Sequence, residues 1–413
     1  MKRWALLLIG VAILWGCQEQ LTSPADCPTL CPSGQTTVYD TVIYPVFGRD
    51  STFPGPNEGG PAEGYVARGR GTAVLVSNGL PDADARAVFR FSNRPDSLVV
   101  QDTARAYTVD SAAILLPLLG RDSTVHGTAL QLYLMNDTLA DSTVTLDEVN
   151  QAIAAGVLAS VPIPDTSSTG VIRYVFRGAE LDRIRNVGTM ALAVGLSASQ
   201  PTGVRLATPF NATSAQFVSY LHIEIPDTTL QLRIDSRPLL FATWVTPTAP
   251  TLPDPEFLAV GGSPSRRALI RFDFPAFLRD SATVLRATLE LTPTGPIPGL
   301  PNDPAVLGAQ GVLSDLGAKS PLVSTATVTA GLDTIFAGQS TPAEMDVGSL
   351  VRLWRSFPKL PTAIFVSLSP EGSSFMRPLF YGTRSEPGGP PITGSVQPRL
   401  RITYILPFNF QGR

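Results

Sequence analysis

Residues that could carry acid–base or nucleophilic chemistry are few in this chain. Histidine occurs twice, at His126 and His222, and neither lies near a cysteine in the sequence. The chain contains no Gly-x-Ser-x-Gly, His-Glu-x-x-His or phosphate-loop sequence, the spacings that build a serine nucleophile, a zinc site or a phosphate cradle. A glycosidase carboxylate pair is defined by position in space, so the sequence leaves it open. We therefore predict a protein without catalysis and keep an enzyme as the least favoured class.

The N terminus has the pattern of a secretory signal. Lys2 and Arg3 precede the apolar residues 4–13, and Gly16 stands just before Cys17. A charged start, roughly 7–15 apolar residues and a small residue before the cleavage point are typical of such signals. The alternative is a transmembrane helix, which needs about 20 apolar residues, whereas the polar residues 18–20 end this run early.

The sequence Leu14-Trp15-Gly16-Cys17 resembles the end of a bacterial lipoprotein signal. The resemblance implies cleavage before Cys17, lipidation of Cys17 and attachment to a membrane through acyl chains, of which stable anchoring needs more than one. Gln18 resembles the residue found at that position in lipoproteins sent to the outer membrane of Gram-negative bacteria. We therefore expect a lipid-anchored envelope protein, periplasmic or surface-exposed.

Two further cysteines, Cys27 and Cys31, lie three residues apart in a proline-containing segment. Outside the cytoplasm we favour a disulfide between them, with two free thiols as the alternative. We expect no zinc site, because zinc takes four Cys or His ligands and both histidines lie far away in the sequence.

Composition limits the partners and the number of domains. The chain has 413 residues, 44% of them hydrophobic and 16% charged, with a net charge of −3. This balance argues against a nucleic-acid partner, which requires a basic face to neutralise phosphates. The length suits two domains with substantial cores. Short alternating runs with β-branched and aromatic residues, separated by turn residues, indicate antiparallel strands in an all-β fold of the sandwich or jelly-roll type.

An internal repeat divides the chain. Four patterns recur in the same order with an offset of about 180 residues: 86–92 with 267–273, 109–116 with 284–291, 181–196 with 350–368, and two closing strands that end at Ile225 and Ile405. We therefore predict a signal peptide (residues 1–16), a lipidated proline-rich tether (17–36) and two tandem jelly-roll modules (37–225 and 226–413). The best helix candidate is residues 145–153, where Thr145 and Glu148 have capping-box spacing.

Three segments of the second half carry a family resemblance: residues 267–273 with 284–291, residues 345–354, and residues 380–386 ahead of 398–404. They resemble the DNRLRE-type module, a jelly-roll sandwich of secreted and surface bacterial proteins that is similar to certain carbohydrate-binding modules. The resemblance covers residues 230–406 directly and the first half only through the repeat. The six-residue motif that names the family is absent.

The candidate ligand-binding residues are aromatic, because an aromatic face stacks on the apolar side of a sugar ring. They are Trp244, Tyr381 and Tyr65, and the sequence leaves the orientation of Trp244 open. Recurrent Asp-Ser and Asp-Thr pairs are interpreted as Asx turns, with calcium, which takes oxygen ligands, as the alternative. We expect no other cofactor and no metal site.

These observations favour a non-catalytic structural or adhesive envelope protein, which would contact envelope polymers or neighbouring surface proteins. The runner-up is a polysaccharide-binding surface lipoprotein, which requires an exposed aromatic pair. A polysaccharide-active enzyme, with two carboxylates facing each other in a cleft, comes third.

Overall fold

The computed structural model describes residues 37–54, 64–80, 84–100, 102–223, 231–246, 257–323, 331–384, 394 and 396–406. The predicted signal peptide, Cys17, Cys27, Cys31 and the predicted module boundary at residue 226 lie outside this part. Strands make up 48% and helices 11% of the structure, in antiparallel sheets, so the all-β sandwich prediction is confirmed. Across the described ranges, no helix is both long and apolar enough to cross a membrane.

The first sandwich has twelve strands, which share one large buried cluster. These strands are β3 (Ala73–Asn78), β4 (Arg86–Asn93), β5 (Leu98–Val100), β6 (Thr103–Arg105), β7 (Thr108–Arg121), β8 (Ala129–Leu134), β9 (Ala159–Pro162), β10 (Gly170–Phe176), β11 (Thr189–Ser197), β12 (Thr202–Ala207), β13 (Gln216–Ile223) and β14 (Gln231–Val245). Nine of them run in the order β3-β12-β7-β13-β14-β4-β11-β8-β9, a tenth, β10, pairs with β7 outside this order, and β5 and β6 form a separate hairpin.

The second sandwich packs a four-stranded sheet, sheet A, against a five-stranded sheet, sheet C, around a second buried cluster. Sheet A has the order β1-β23-β17-β20, sheet C has the order β19-β18-β21-β16-β2, and β15 pairs with β22. The strands are β1 (Val38–Ile43), β2 (Ser51–Phe53), β15 (Phe257–Ala259), β16 (Arg267–Arg271), β17 (Thr283–Leu291), β18 (Ala305–Gly311), β19 (Gly331–Ile335), β20 (Ala343–Asp346), β21 (Ala363–Ser369), β22 (Leu379–Tyr381) and β23 (Arg399–Ile405).

Alternation in the sequence sets which side chains enter the cores. In β13, residues 217, 219, 221 and 223 are buried, while residues 218, 220 and 222 are partly exposed, as expected of a strand with one face on a core. The same period of two appears in β18. Strands β3 and β11 are buried along almost their whole length, and each has the continuous apolar sequence of a strand covered on both faces.

The described ranges contain four α-helices outside the sheets: α1 (Leu146–Ala154), α2 (Ala179–Ile184), α3 (Ala276–Asp280) and α4 (Gly348–Ser356). Two short 3-10 turns cover Asp137–Leu139 and Gly317–Lys319. The predicted helix at residues 145–153 is confirmed as α1, with its capping box: Glu148 N donates to Thr145 Oγ1 at 3.3 Å, and Thr145 N donates to Glu148 Oε2 at 2.7 Å. Val149 of α1 packs in a third cluster on the outer face of β4 and β11.

The four segments matched by the repeat occupy corresponding positions in the two pairing schemes. In the first sandwich β4 pairs with β11, and β7 pairs with β13. In the second, β16 pairs with β21, and β17 pairs with β23. The helix that precedes each matched strand is α2 before β11 and α4 before β21.

The strands at the start of each half of the chain pair with strands of the other half. β1 pairs with β23 along six registered positions, and β2 pairs with β16, so both belong to the second sandwich. In return, residues 231–238 of β14 pair with β13 and residues 239–245 pair with β4, so β14 belongs to the first. This arrangement is a reciprocal strand exchange within one chain.

The exchange changes the division predicted from the sequence. Boundaries at residues 37–225 and 226–413 assign β1 and β2 to the first module and β14 to the second. The hydrogen-bonded sheets assign them the other way round, and Ile43 of β1 is buried in the second core. A cut at residue 226 therefore does not separate the sandwiches, because the first would lose β14 and the second would lose β1 and β2.

The two sandwiches are also packed together through residues that follow β21. The Ser373 hydroxyl donates to the Ala73 carbonyl oxygen at 2.9 Å. Phe375 is 5% exposed and belongs to the buried cluster of the first sandwich. Its ring lies against Gly203, where an added Cβ would stand 2.6 Å from the Phe375 Cζ atom. The contact therefore requires the absence of a side chain at position 203.

This contact also encloses an ion pair. Arg205 Nη2 donates to Asp303 Oδ1, and the two side chains are 12% and 5% exposed. Burial raises the pKa of the Asp303 carboxyl, while the charge and hydrogen bond of Arg205 act in the opposite direction. The attraction between the two charges offsets the free energy that each loses on leaving water. Either charge buried here without its partner would destabilise the fold.

Candidate functional site

Trp244 is a contact between the sandwiches and not an exposed ring. Its side chain is 1% exposed, and its indole N–H donates to the Gly372 carbonyl oxygen at 3.3 Å. A buried ring with its polar atom satisfied cannot offer a face to a sugar, which corrects the sequence-based choice of this residue as a ligand platform. Trp354 is also 1% exposed and packs edge-on against Phe274.

Tyr65 and Tyr381 are half-buried and engaged by other side chains. The Arg267 guanidinium lies 4.0 Å from the ring centre of Tyr65, whose hydroxyl donates to the Ala318 carbonyl oxygen. Burial raises the pKa of Tyr65 to about 12. Tyr381 makes an edge contact with Phe257 at 6.4 Å. The structure therefore does not bring the three predicted ligand residues into one site.

Two of the Asp-Ser and Asp-Thr pairs, at Asp122 and Asp141, form local turns, whereas the Asp50 carboxylate accepts from the backbone N–H and the hydroxyl of Thr383. Asp122 Oδ1 accepts from the backbone N–H and the hydroxyl of Thr124, and Asp141 Oδ1 accepts from the same two groups of Thr143. This is the Asx-turn geometry expected at strand ends. Within the described ranges, no group of three or more His, Cys, Asp or Glu side chains is placed to hold a metal ion.

A polar groove lies on the outer face of sheet A. Its volume is about 680 Å³. Carboxylates, guanidinium groups and hydroxyls line most of it: Asp40, Thr41, Val42, Arg286, Thr288, Glu290, Glu344, Arg401 and Thr403. The residues come from β1, β23, β17 and β20, the four strands of the sheet. We call this feature the sheet A groove.

Hydrogen bonds fix several of these side chains. Glu290, whose side chain is 6% exposed, receives Arg399 Nε at 2.5 Å and Arg401 Nε at 3.1 Å. The Thr403 hydroxyl donates to Asp40 Oδ1 at 2.6 Å. Pre-positioned charged groups of both signs suit a ligand rich in hydroxyls, because a hydroxyl both donates to carboxylates and accepts from guanidinium groups.

Two carboxylates stand directly opposite each other in the groove. Glu290 and Glu344 are cross-strand partners in the register of β17 and β20. Glu290 is clamped by Arg399 and Arg401, whereas Glu344 is exposed. Two guanidinium groups occupy the oxygens of Glu290, an arrangement better suited to binding than to proton transfer.

Sequence reasoning missed the sheet A groove. Its residues are spread from position 40 to position 403, and only the pairing of β1 with β23 brings the ends of that range together. One signal was available: polar residues alternate with buried ones at 399, 401 and 403 and mark the outward face of β23. The alternation identifies such a face but not its neighbours across the sheet.

Comparison with known proteins gives no relative for this arrangement: no family model matches the chain, and no curated protein matches it significantly. The DNRLRE-type and lipoprotein resemblances therefore rest on the sequence motifs alone and stay predictions.

Proposed function

We propose that this chain is a lipid-anchored envelope protein whose sandwiches have a structural or adhesive role without catalysis. The observation that carries the proposal is the reciprocal strand exchange, which ties β1 and β2 to the second sandwich and β14 to the first. Together with the buried Arg205–Asp303 pair, it favours a stiff double body rather than two modules on a hinge. A stiff body beyond a lipid anchor suits a spacer or an adhesive surface. We further propose that its halves are two copies of one jelly-roll module.

The anchor can be tested by fatty-acid labelling. In a bacterial host that processes lipoproteins, the full chain is expected to incorporate a fatty-acid label and to float with membranes. Cys17→Ala should lose both properties, because the acyl chains provide the membrane affinity. Cys27→Ser is the matched control and should retain label and flotation. Equal labelling of Cys17→Ala and the parent chain would refute the anchor.

A second candidate function is polysaccharide binding, and the sheet A groove is the observation that favours it. The groove offers fixed carboxylates, guanidinium groups and hydroxyls along one sheet face. Loss of Trp244 as an exposed ring weakens the stacking version of this hypothesis. A polar mode of recognition takes its place, in which a polyhydroxyl chain binds by hydrogen bonds.

Substitutions in the groove test this second function. If a polysaccharide panel identifies a ligand, Arg401→Ala and Glu344→Gln should each weaken its binding by about tenfold, since a hydrogen bond to a charged group contributes about 1.5–3 kcal/mol. Both side chains are exposed, so stability should change little. Arg233→Ala, at an exposed position on β14, is the control. Calorimetry measures the polysaccharide affinity of each variant. Affinity that is unchanged by both groove substitutions would exclude the sheet A groove as the binding site.

A further inference from the structure

One end of the second sandwich exposes a cluster of large apolar side chains, which we call the end patch. It comprises Val38, Tyr39, Phe277, Leu285, Tyr404 and Leu406. Val38 is 53% exposed, Tyr39 40%, Phe277 42%, Leu285 48% and Leu406 43%. Single exposed apolar residues are ordinary, but a contiguous group of them marks a contact surface.

Contacts and register show that these residues are neighbours. The rings of Tyr39 and Tyr404 are stacked at 5.6 Å, and Phe277 of α3 lies 5.6 Å from Tyr404. Strand β17 reaches the same level, because Val284 is the register partner of Tyr404. Leu285 is the next residue, at the irregularity in that pairing. The rings of Tyr39, Tyr404 and Phe277 therefore form one cluster, and Val38 and Leu285 lie at the same level of the neighbouring strands.

The chain leading from the proposed anchor enters the fold at this patch. Val38 begins β1 and is the register partner of Ile405. Residues 18–37, which separate it from Cys17, can span at most about 60–70 Å when extended. The end patch is thus the described apolar surface closest in sequence to the lipid.

The chemistry of the end patch fits a bilayer interface. Tyrosine combines an apolar ring with a polar tip and is enriched where membrane meets water, and leucine, valine and phenylalanine add apolar depth. Arg279 and Arg286 flank the patch and suit lipid phosphates, while Asp280 is the acidic neighbour on α3. Six side chains are few for a stable dimer, which uses about 20–30 residues on each side.

We propose that the end patch docks on the lipid surface and acts as a second membrane contact beside the acyl chains. This inference rests on the proposed lipidation of Cys17. It gives the protein a fixed orientation, with sheet A rising from the membrane and the first sandwich held away from the end patch. The acyl chains hold the protein at the membrane, and an apolar contact at the point of entry sets the orientation of the body.

The test uses the full lipidated chain in vesicles, with Cys27 and Cys31 replaced by serine and an environment-sensitive dye on one introduced cysteine. The probe positions are Leu285→Cys and Phe277→Cys, and Leu332→Cys, which is 63% exposed on sheet C, is the control. Apolar faces at an interface sit about 5–10 Å into the headgroup boundary, so shallow nitroxide lipids should quench the two patch dyes by about twofold. The dye at position 332 should be unchanged.

Vesicle flotation, run in parallel, separates the two hypotheses. Chains that fail to float refute the anchor itself. Chains that float with unquenched dyes at positions 277 and 285 refute membrane docking of the patch. A dye at position 285 that shifts to the blue without lipid quenching, while the protein self-associates, would assign the patch to a second copy and overturn the proposal. Quenching at all three positions would mean unspecific contact and overturn it as well.

Discussion

A chain that lacks residues 1–63 is expected to keep the first sandwich folded and to lose the cooperative unfolding transition of the second. The deletion removes β1 and β2, which lie at one edge of sheet A and one edge of sheet C. It also removes Ile43 from the core and leaves the Thr383 backbone N–H without Asp50, its acceptor at 2.8 Å. An uncovered strand edge and a lost apolar side chain both lower stability.

The two buried tryptophans report separately on the unfolding of the two sandwiches. Trp244 lies in the first core and Trp354 in the second, so Trp354→Phe and Trp244→Phe chains each follow mainly one sandwich in denaturant titrations. Adding a peptide of residues 37–54 should restore the Trp354 transition, because it supplies the missing strands. A peptide of residues 231–246, whose sequence pairs in the first sandwich, is the matched control. Restoration by both peptides, or an unchanged transition after deletion, would contradict the exchange.

Asp303→Ala is expected to lower the free energy of unfolding by about 3–5 kcal/mol, because it leaves the guanidinium of Arg205 buried without its partner. The Arg205 side chain is 12% exposed, so water compensates little. Chemical denaturation of the full chain measures the change. The loss should appear in both sandwiches, since the pair lies where they meet.

A double-mutant cycle isolates the pair. Arg205→Met with Asp303→Ala should cost clearly less than the sum of the single changes, since no charge then stays unpaired. The control is Asp84→Ala, which breaks an ion pair with Arg86 whose side chains are 25% and 37% exposed, and a pair of that kind contributes about 0–1 kcal/mol. Additive costs at positions 205 and 303 would show that the two side chains act independently.

Local patterns in the sequence were sufficient to predict the class of fold. Alternation in residues 220–225 and 400–404 predicted strands, which the structure contains as Gln216–Ile223 and Arg399–Ile405, and the spacing of Thr145 and Glu148 predicted a capped helix. These features depend on neighbours within a few residues. The four repeat matches likewise identified strands with corresponding partners in the two sandwiches.

The partners of β1 and β14 could not be predicted in the same way. An alternating edge strand fits any sheet of suitable length, and its pairing is decided by distant contacts. Ile43 meets a partner at Leu400, and Trp244 donates to a carbonyl 128 residues away. Such distances also hid the sheet A groove and led to the mistaken choice of Trp244 as a ligand residue.

The pairing of β1 with β23 has a mechanical consequence. A pull on the proposed anchor enters the protein at Val38 and is carried by the ladder between residues 38–43 and 400–405. Hydrogen bonds in an antiparallel ladder lie perpendicular to the strands. When the far end of the sandwich is held, such a pull loads all of them at once in shear instead of opening them one after another. Tension between the anchor and a ligand in the groove would therefore pass through sheet A and spare the first sandwich.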